Sequence, residues 1–135
     1  MEKVSITINE FLEKLRSGEK NFSGIILQNA DLTNADLKKL NFSGADFSNS
    51  NFSGSNLSET NFSEAKLARC LFKGSVLIGT NFEKTNLEWA VFTGAIFDRT
   101  NFYKANLMWA HLCKSDLMRA NISEATINWA CLADS

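Results

Sequence analysis

From Phe22 to Leu132 every fifth residue is Leu, Phe or Ile, in 23 consecutive instances. A globular core does not need a comb of this length, so an internal repeat is the first thing the pattern implies. Two residues before each large apolar centre the chain is Ala, Ser, Thr or Cys in 20 of 23 cases; the exceptions are Lys20, Ile25 and Leu40. One residue before the centre it is Asn or Asp in 14 of 23. The two residues that follow are mostly polar or Gly. In an extended chain alternate side chains share a face, so the small residue and the centre point inward and the Asn or Asp between them points outward. The two following residues turn a corner. Three extended residues and a two-residue corner make one side of a polygon, and a period of five fits neither a helix nor a flat sheet.

A second period is superimposed. Asn-Phe recurs at 21–22, 41–42, 61–62, 81–82 and 101–102, Asn121-Ile122 continues it, and Trp89, Trp109 and Trp129 are also 20 apart. Four sides therefore complete one coil, and residues 20 apart stack about 4.8 Å from each other. The expected architecture is an all-β parallel β-helix of nearly six coils over residues 20–135, a rod roughly 28 Å long by that spacing.

The repeat units resemble the pentapeptide repeat family, whose motif is Ala-(Asn/Asp)-(Leu/Phe)-X-X. ADLTN at 30–34, ADFSN at 45–49 and ANLMW at 105–109 are close copies. The resemblance implies a right-handed quadrilateral β-helix; the handedness comes from the family. It also implies a bacterial source, because dense Asn-Leu and Asn-Phe copies are typical of bacterial, including cyanobacterial, members.

Residues 1–19 precede the comb. Thr7 with Glu10 fits a capping box, Ile8, Phe11, Leu12 and Leu15 form one apolar stripe, and Gly18 suits the residue after a helix end. A short helix over 7–18 is predicted, docking its stripe where Ile25 and Ile26 break the repeat rule and capping the first coil. Gly24, Gly44, Gly54, Gly74, Gly79 and Gly94 fall at corners, where a positive φ suits glycine. Pro is absent, as a chain of ladder donors requires. The Asn and Asp before each centre are placed to accept from corner N–H groups.

The formal net charge is −1, so no strong field favours nucleic acid or an anionic membrane. No apolar run reaches the length of a membrane span, and the N-terminus lacks the features of a secretion signal. A cytoplasmic protein is expected. The three cysteines, Cys70, Cys113 and Cys131, lack metal-ligand spacing and read as unpaired thiols suited to a reducing compartment. Cys70 occupies a small inward position. Calcium-binding β-roll repeats need Gly-Gly-X-Gly-X-Asp runs, which are missing. His111, the only histidine, stands at an outward position without the carboxylate or oxyanion partners of a catalytic site. No enzyme activity, cofactor or metal is expected.

Two candidate surfaces remain. At Leu71, Val76, Val91 and Ile96 the outward position before the centre turns apolar. With Arg69, Ile78, Trp89, Trp109 and Trp129 these residues form a candidate protein-interaction patch, rimmed by Arg69, Arg99 and Asp116. Local packing over Val91, a contact between copies of the chain, and a different protein partner each account for it. Leu117, Ile122, Ile127 and Leu132 mark the last coil as a candidate end contact. The resemblance implies that two copies can pack there about a twofold axis, as in quinolone-resistance members, a homodimer being one expectation and a longer chain the other. The expected function is a non-enzymatic interaction or scaffold module. Some family members mimic duplex DNA and bind DNA gyrase. Residues 20–135 hold 11 Lys and Arg against 11 Asp and Glu, too neutral to imitate a charge every ~1.7 Å. The comb also carries none of the protruding loops of gyrase-binding members. An ice-binding β-helix needs ranks of Thr-X-Thr, which are missing.

Overall fold

A computed structural model describes residues 2–135. Its elements are β1 (Val4–Ser5), α1 (Ile8–Arg16) and β2 (Ile25–Ile26), followed by a long run of isolated parallel bridges. The bridges join residues 20 apart and fall into four ladders. The first runs Asn21, Asn41, Asn61, Asn81, Asn101, Asn121. The second runs from Ile26 through Asp46, Lys66, Asn86 and Asn106 to Thr126. The third runs from Asp31 through Asn51, Leu71, Val91 and His111 to Cys131, and the fourth joins Asp36, Asn56, Val76, Ile96 and Asp116. Each side contributes a single bridging residue, shorter than the three-residue strand expected from the alternation. The following centre then donates its N–H to the next layer, as Phe62 does to the Asn81 carbonyl at 2.8 Å. The residue between two buried positions is thus the one whose side chain faces out, as the alternation requires.

The interior is the comb itself. The centres from Phe22 to Leu112 are all buried. Phe residues dominate the first and third ladders, and their rings stack layer on layer: Phe62–Phe82 at 5.5 Å and Phe82–Phe102 at 5.2 Å on one, Phe52–Phe72 at 5.2 Å and Phe72–Phe92 at 4.8 Å on the other. Rings of the two columns meet edge to face, the arrangement the aromatic quadrupole favours. The small inward position holds polar atoms without leaving them orphaned. The hydroxyls of Thr60, Thr80 and Thr100 each donate to the centre carbonyl of the layer below, 23 residues back, at 2.7–2.8 Å. Ser55 and Ser75 donate instead to the centre three residues before them. Among the described residues no buried side-chain nitrogen or oxygen lacks a partner, so the threonine hydroxyls tie layers together, and the two serines brace their own corners, at little desolvation cost.

Each corner is a four-residue turn, closed by the small residue's N–H donating to the centre carbonyl, as from Thr60 to Leu57, except at Leu27–Ala30, where Ala30 donates to the Ser50 hydroxyl, and at Leu37–Leu40. The third turn residue has positive φ at all of the corners, from Gly24 to Asp134, and at 17 of them it is not glycine. That is type II geometry. Lys, Arg, Glu and Trp accept the left-handed conformation here at a cost of about 1–2 kcal/mol each, offset by a hydrogen-bonded layer on either side. Gly74 has φ 62° with nothing within 4 Å of an added Cβ. Gly74→Ala is therefore expected to cost about 1 kcal/mol from backbone conformation alone, read from the urea midpoint. Outward Asn and Asp side chains brace the corners as anticipated. Asn81 accepts from the Glu83 N–H at 3.0 Å and from the Asn101 side chain at 3.0 Å. Repetition of that second bond makes the first ladder a continuous row of amide hydrogen bonds from Asn21 to Asn121.

The N-terminal segment departs from expectation in detail. α1 is Ile8–Arg16, with Thr7 as N-cap in a complete capping box, Ser17 as C-cap and Gly18 beyond it at φ 92°; the helix is shorter than 7–18. Phe11 is fully buried, 4.8 Å from Phe22 and 6.0 Å from Phe42, and Ile8, Leu12 and Leu15 pack beside the core. Ile25 and Ile26 bind β1 through their backbone rather than docking the helix. Val4 pairs with Ile25 and Ser5 with Ile26 in parallel register, and the Lys3 ammonium reaches the Gly44 carbonyl.

Candidate functional site: a tryptophan ladder and the last layer

The corner before the third ladder carries Arg69, Trp89, Trp109 and Trp129, all at positive φ. This left-handed turn residue points away from the core, so the three indoles stand outside the rod. They stack on one another, Trp89–Trp109 at 5.0 Å and 4° between planes, Trp109–Trp129 at 5.4 Å and 12°. The spacing is that of the ladder beneath, which sets each ring one layer above the last. Trp129 remains 73% exposed, and Trp89 and Trp109 are also exposed. Stacking on each other therefore leaves much of their surface open. Leu71 pairs with Val91 on the third ladder beside them, both half-buried, and His111 and Cys131 continue that ladder upward.

Val76 and Ile96 pair on the fourth ladder. Val76 is half-buried and Ile96 exposed, and Ile78 sits half-buried at the next corner. Two corners, Lys73–Gly74 and Thr93–Gly94, separate this strip from Leu71 and Val91. The sequence-derived patch is thus two strips on adjacent sides, with the tryptophan column against the first. On the rim, Asp98 draws Arg119 to 2.8 Å and Arg99 to 3.4 Å. Exposed Met118 stands above the Ile78 position.

The last layer differs from those below it. Leu117 is half-buried, and Ile122, Ile127 and Leu132 are 44%, 38% and 40% exposed, although the same repeat position is closed in the interior. These four side chains face the end of the rod and form an apolar end surface.

One cysteine expectation is corrected. Cys113 and Cys131 are disulfide-bonded, with Cα atoms 5.5 Å apart, so they are not unpaired thiols and do not argue for a reducing compartment. They lie in different columns, but the carbonyl of Cys131 accepts from Leu112, immediately before Cys113. That makes them diagonal neighbours across two layers, a relation within side-chain reach. Cys70 is the buried free cysteine expected, its thiol donating to the Phe47 carbonyl, and burial pushes its pKa up to about 12.

Two carboxylates have shifted acidities. The Thr33 hydroxyl and N–H hold Asp31 below the usual range. Partial burial pushes Asp46 upward, but the Ser48 hydroxyl and N–H, the Gln28 amide and Lys66 outweigh it and lower it. A folded pKa below the unfolded value contributes stability above about pH 4 that is lost as pH falls through the folded value. The urea midpoint is expected to hold between pH 7 and 5 and to fall below about pH 4, and Thr33→Val with Ser48→Ala should flatten that acid slope. Both carboxylates brace corners and neither faces the tryptophans. Two surface recesses, of about 340 and 410 Å³, lie at the N-terminal end, one lined by Ile6–Ile8 and residues 26–31, the other by Lys3, Gly44 and Glu64 among others. No group of His, Cys, Asp and Glu among the described residues is arranged to hold a metal. No helix among them is long and apolar enough to cross a membrane.

The family model for the pentapeptide repeat region matches residues 25–94 and 45–122. The chain belongs to the pentapeptide repeat family. Proteins of this family fold as right-handed quadrilateral β-helices. HetL, a pentapeptide repeat protein involved in heterocyst differentiation regulation from the cyanobacterium Nostoc sp. strain PCC 7120, is 33% identical with a TM-score of 0.81 over 87% of this chain and 48% of its own. This chain thus spans about half the length of HetL. A pentapeptide repeat protein from the Arabidopsis thaliana thylakoid lumen is 25% identical with a TM-score of 0.62, over 73% of this chain and 65% of that one. QnrB1, a plasmid-mediated fluoroquinolone resistance protein, is 22% identical with a TM-score of 0.59, over 95% and 70%; at that identity the likeness is one of fold. No curated protein sequence matches.

Proposed function

We propose that this pentapeptide repeat chain is a non-enzymatic protein-interaction module, built as nearly six four-sided coils whose N-terminal end α1 and β1 close. The observation that carries the reading is the exposed stack of Trp89, Trp109 and Trp129 alongside Leu71 and Val91. Indole is costly to leave in water and is enriched where proteins bind one another. The repeat supplies a rigid backbone, so a partner meets a surface whose ordering cost is already met. The partner is a protein, with a second copy of this chain tested first, because the apolar end surface of Leu117, Ile122, Ile127 and Leu132 is available as well. HetL is involved in heterocyst differentiation regulation, and a regulatory role suits such a module. The near-equal charges of the rod do not favour a DNA mimic.

Sedimentation velocity over a concentration series tests the reading. Wild type is expected to self-associate. Val91→Lys with Ile96→Lys, both outward, should keep the fold by circular dichroism and weaken association if the side surface carries it. Ile122→Lys with Ile127→Lys should do so if the end surface carries it. Wild type that stays monomeric throughout, and in a pull-down retains no protein that the Val91→Lys, Ile96→Lys variant loses, overturns the reading.

A further inference from the structure

We propose that the Cys113–Cys131 bond is a redox-sensitive clamp that holds the last layer, and with it Trp129, on the rod. The bond bridges two adjacent layers, and the residues of the upper one are more exposed than those of the layers below. Backbone hydrogen bonds tie the final side, Cys131–Ser135, to the layer beneath: Cys131 to Ala110, Leu112 to Cys131, and Lys114 to Ala133, each at 2.9 Å. The Ser135 hydroxyl adds a bond to the Leu112 carbonyl. Interior sides have such bonds both above and below, and their centres are closed from water; Leu132 is 40% exposed. A side with a half-open centre sits at the low end of the stability range within a fold. The disulfide closes an 18-residue separation that encompasses almost the whole of that last layer, and so restricts its released state.

The position suits exchange. Both cysteines are half-buried rather than enclosed, unlike Cys70, so a small thiol reaches the bond. The exchange is balanced: two thiol molecules reduce the Cys113–Cys131 disulfide, giving two protein thiols and one small-molecule disulfide. Glutathione is a reductant of this class, and its oxidised form restores the bond by the reverse reaction. Trp129 lies two residues before Cys131, stacked on Trp109. Opening the clamp frees the segment that presents the third indole, so the redox state sets whether the ladder has three rings or two.

The experiment holds the protein in glutathione buffers of graded reduced-to-oxidised ratio. It reads free thiols by mass, amide hydrogen exchange by segment, and near-ultraviolet circular dichroism of the stacked indoles. The expected result is a bond that opens within the series. Exchange over residues 121–135 should then become roughly ten- to a hundredfold faster, with residues 40–80 unchanged and the Trp109–Trp129 coupling signal diminished. Cys113→Ser with Cys131→Ser should give the same profile at every ratio. A pair that stays reduced in the oxidising buffer, a bond that stays closed at every ratio, unchanged exchange after opening, or loss of protection across the whole rod would each overturn the clamp.

Discussion

Phe82→Ala is expected to lower the unfolding free energy by about 3–5 kcal/mol, the range for emptying a closed aromatic site. Phe82 is fully buried, stacked between Phe62 and Phe102, with the Phe72 and Phe92 rings edge-on at 5.9 and 6.2 Å. Five rings in two columns cannot close the gap by small shifts, because about three backbone bonds on each five-residue side pin a layer to the next, as Phe62 to Asn81, Glu64 to Glu83 and Asn81 to Thr60 do. The cavity therefore persists and its cost adds to the lost transfer energy. Ile122→Ala is the internal comparison. It occupies the same place in the repeat two layers higher, yet is 44% exposed, and its truncation should cost about 1 kcal/mol or less by the area removed from water. Equal losses at the two sites, measured by urea denaturation, would mean that the last layer is covered in solution. That result would point to the end surface as a contact between copies.

The contrast between Phe82 and Ile122 marks what the chain discloses by itself. The comb places both at the same inward position, and nothing in the letters says that one is sealed and the other open; that depends on what lies above. The four ladders were legible because Asn-Phe and Trp repeat every 20 residues. The left-handed corner was legible only where glycine stands. At Lys84, Arg99 or Trp109 a side chain conceals the same φ, since the surrounding bonds override local preference. β1 escaped notice because two exposed residues, Val4 and Ser5, carry no periodicity and owe their extended form to pairing with Ile25 and Ile26. The Cys113–Cys131 bond was hidden by column arithmetic: 18 is not 20, and only the diagonal across two layers brings the thiols together. The tryptophan column was legible as a column. That the rings stack and remain exposed followed only from their place on an outward-turning corner.

Ala90→Leu is expected to destabilise by about 1–3 kcal/mol through overpacking, opposite in kind to the loss at Phe82 and smaller in size. Ala90 is fully buried between the centres Leu87 and Phe92 and closes a corner by donating its N–H to the Leu87 carbonyl at 3.0 Å. Its own carbonyl accepts from His111 in the layer above at 2.9 Å, so the backbone at this point is tied to the corner behind it and to the layer over it. Room for three more carbons has to come from displaced rings or a widened corner. Phe72 and Phe92, stacked at 4.8 Å, leave no slack on that side. A widened corner in turn moves Trp89, the residue immediately before Ala90, away from Trp109. Two signals should therefore fall together in Ala90→Leu, the urea midpoint and the near-ultraviolet signal of the stacked indoles. In Phe82→Ala, on the opposite column, the midpoint should fall while the indole signal is kept. If Ala90→Leu loses stability with its tryptophan signal intact, the strain has been taken up inside the rod, and the outward corner is uncoupled from the core that builds it.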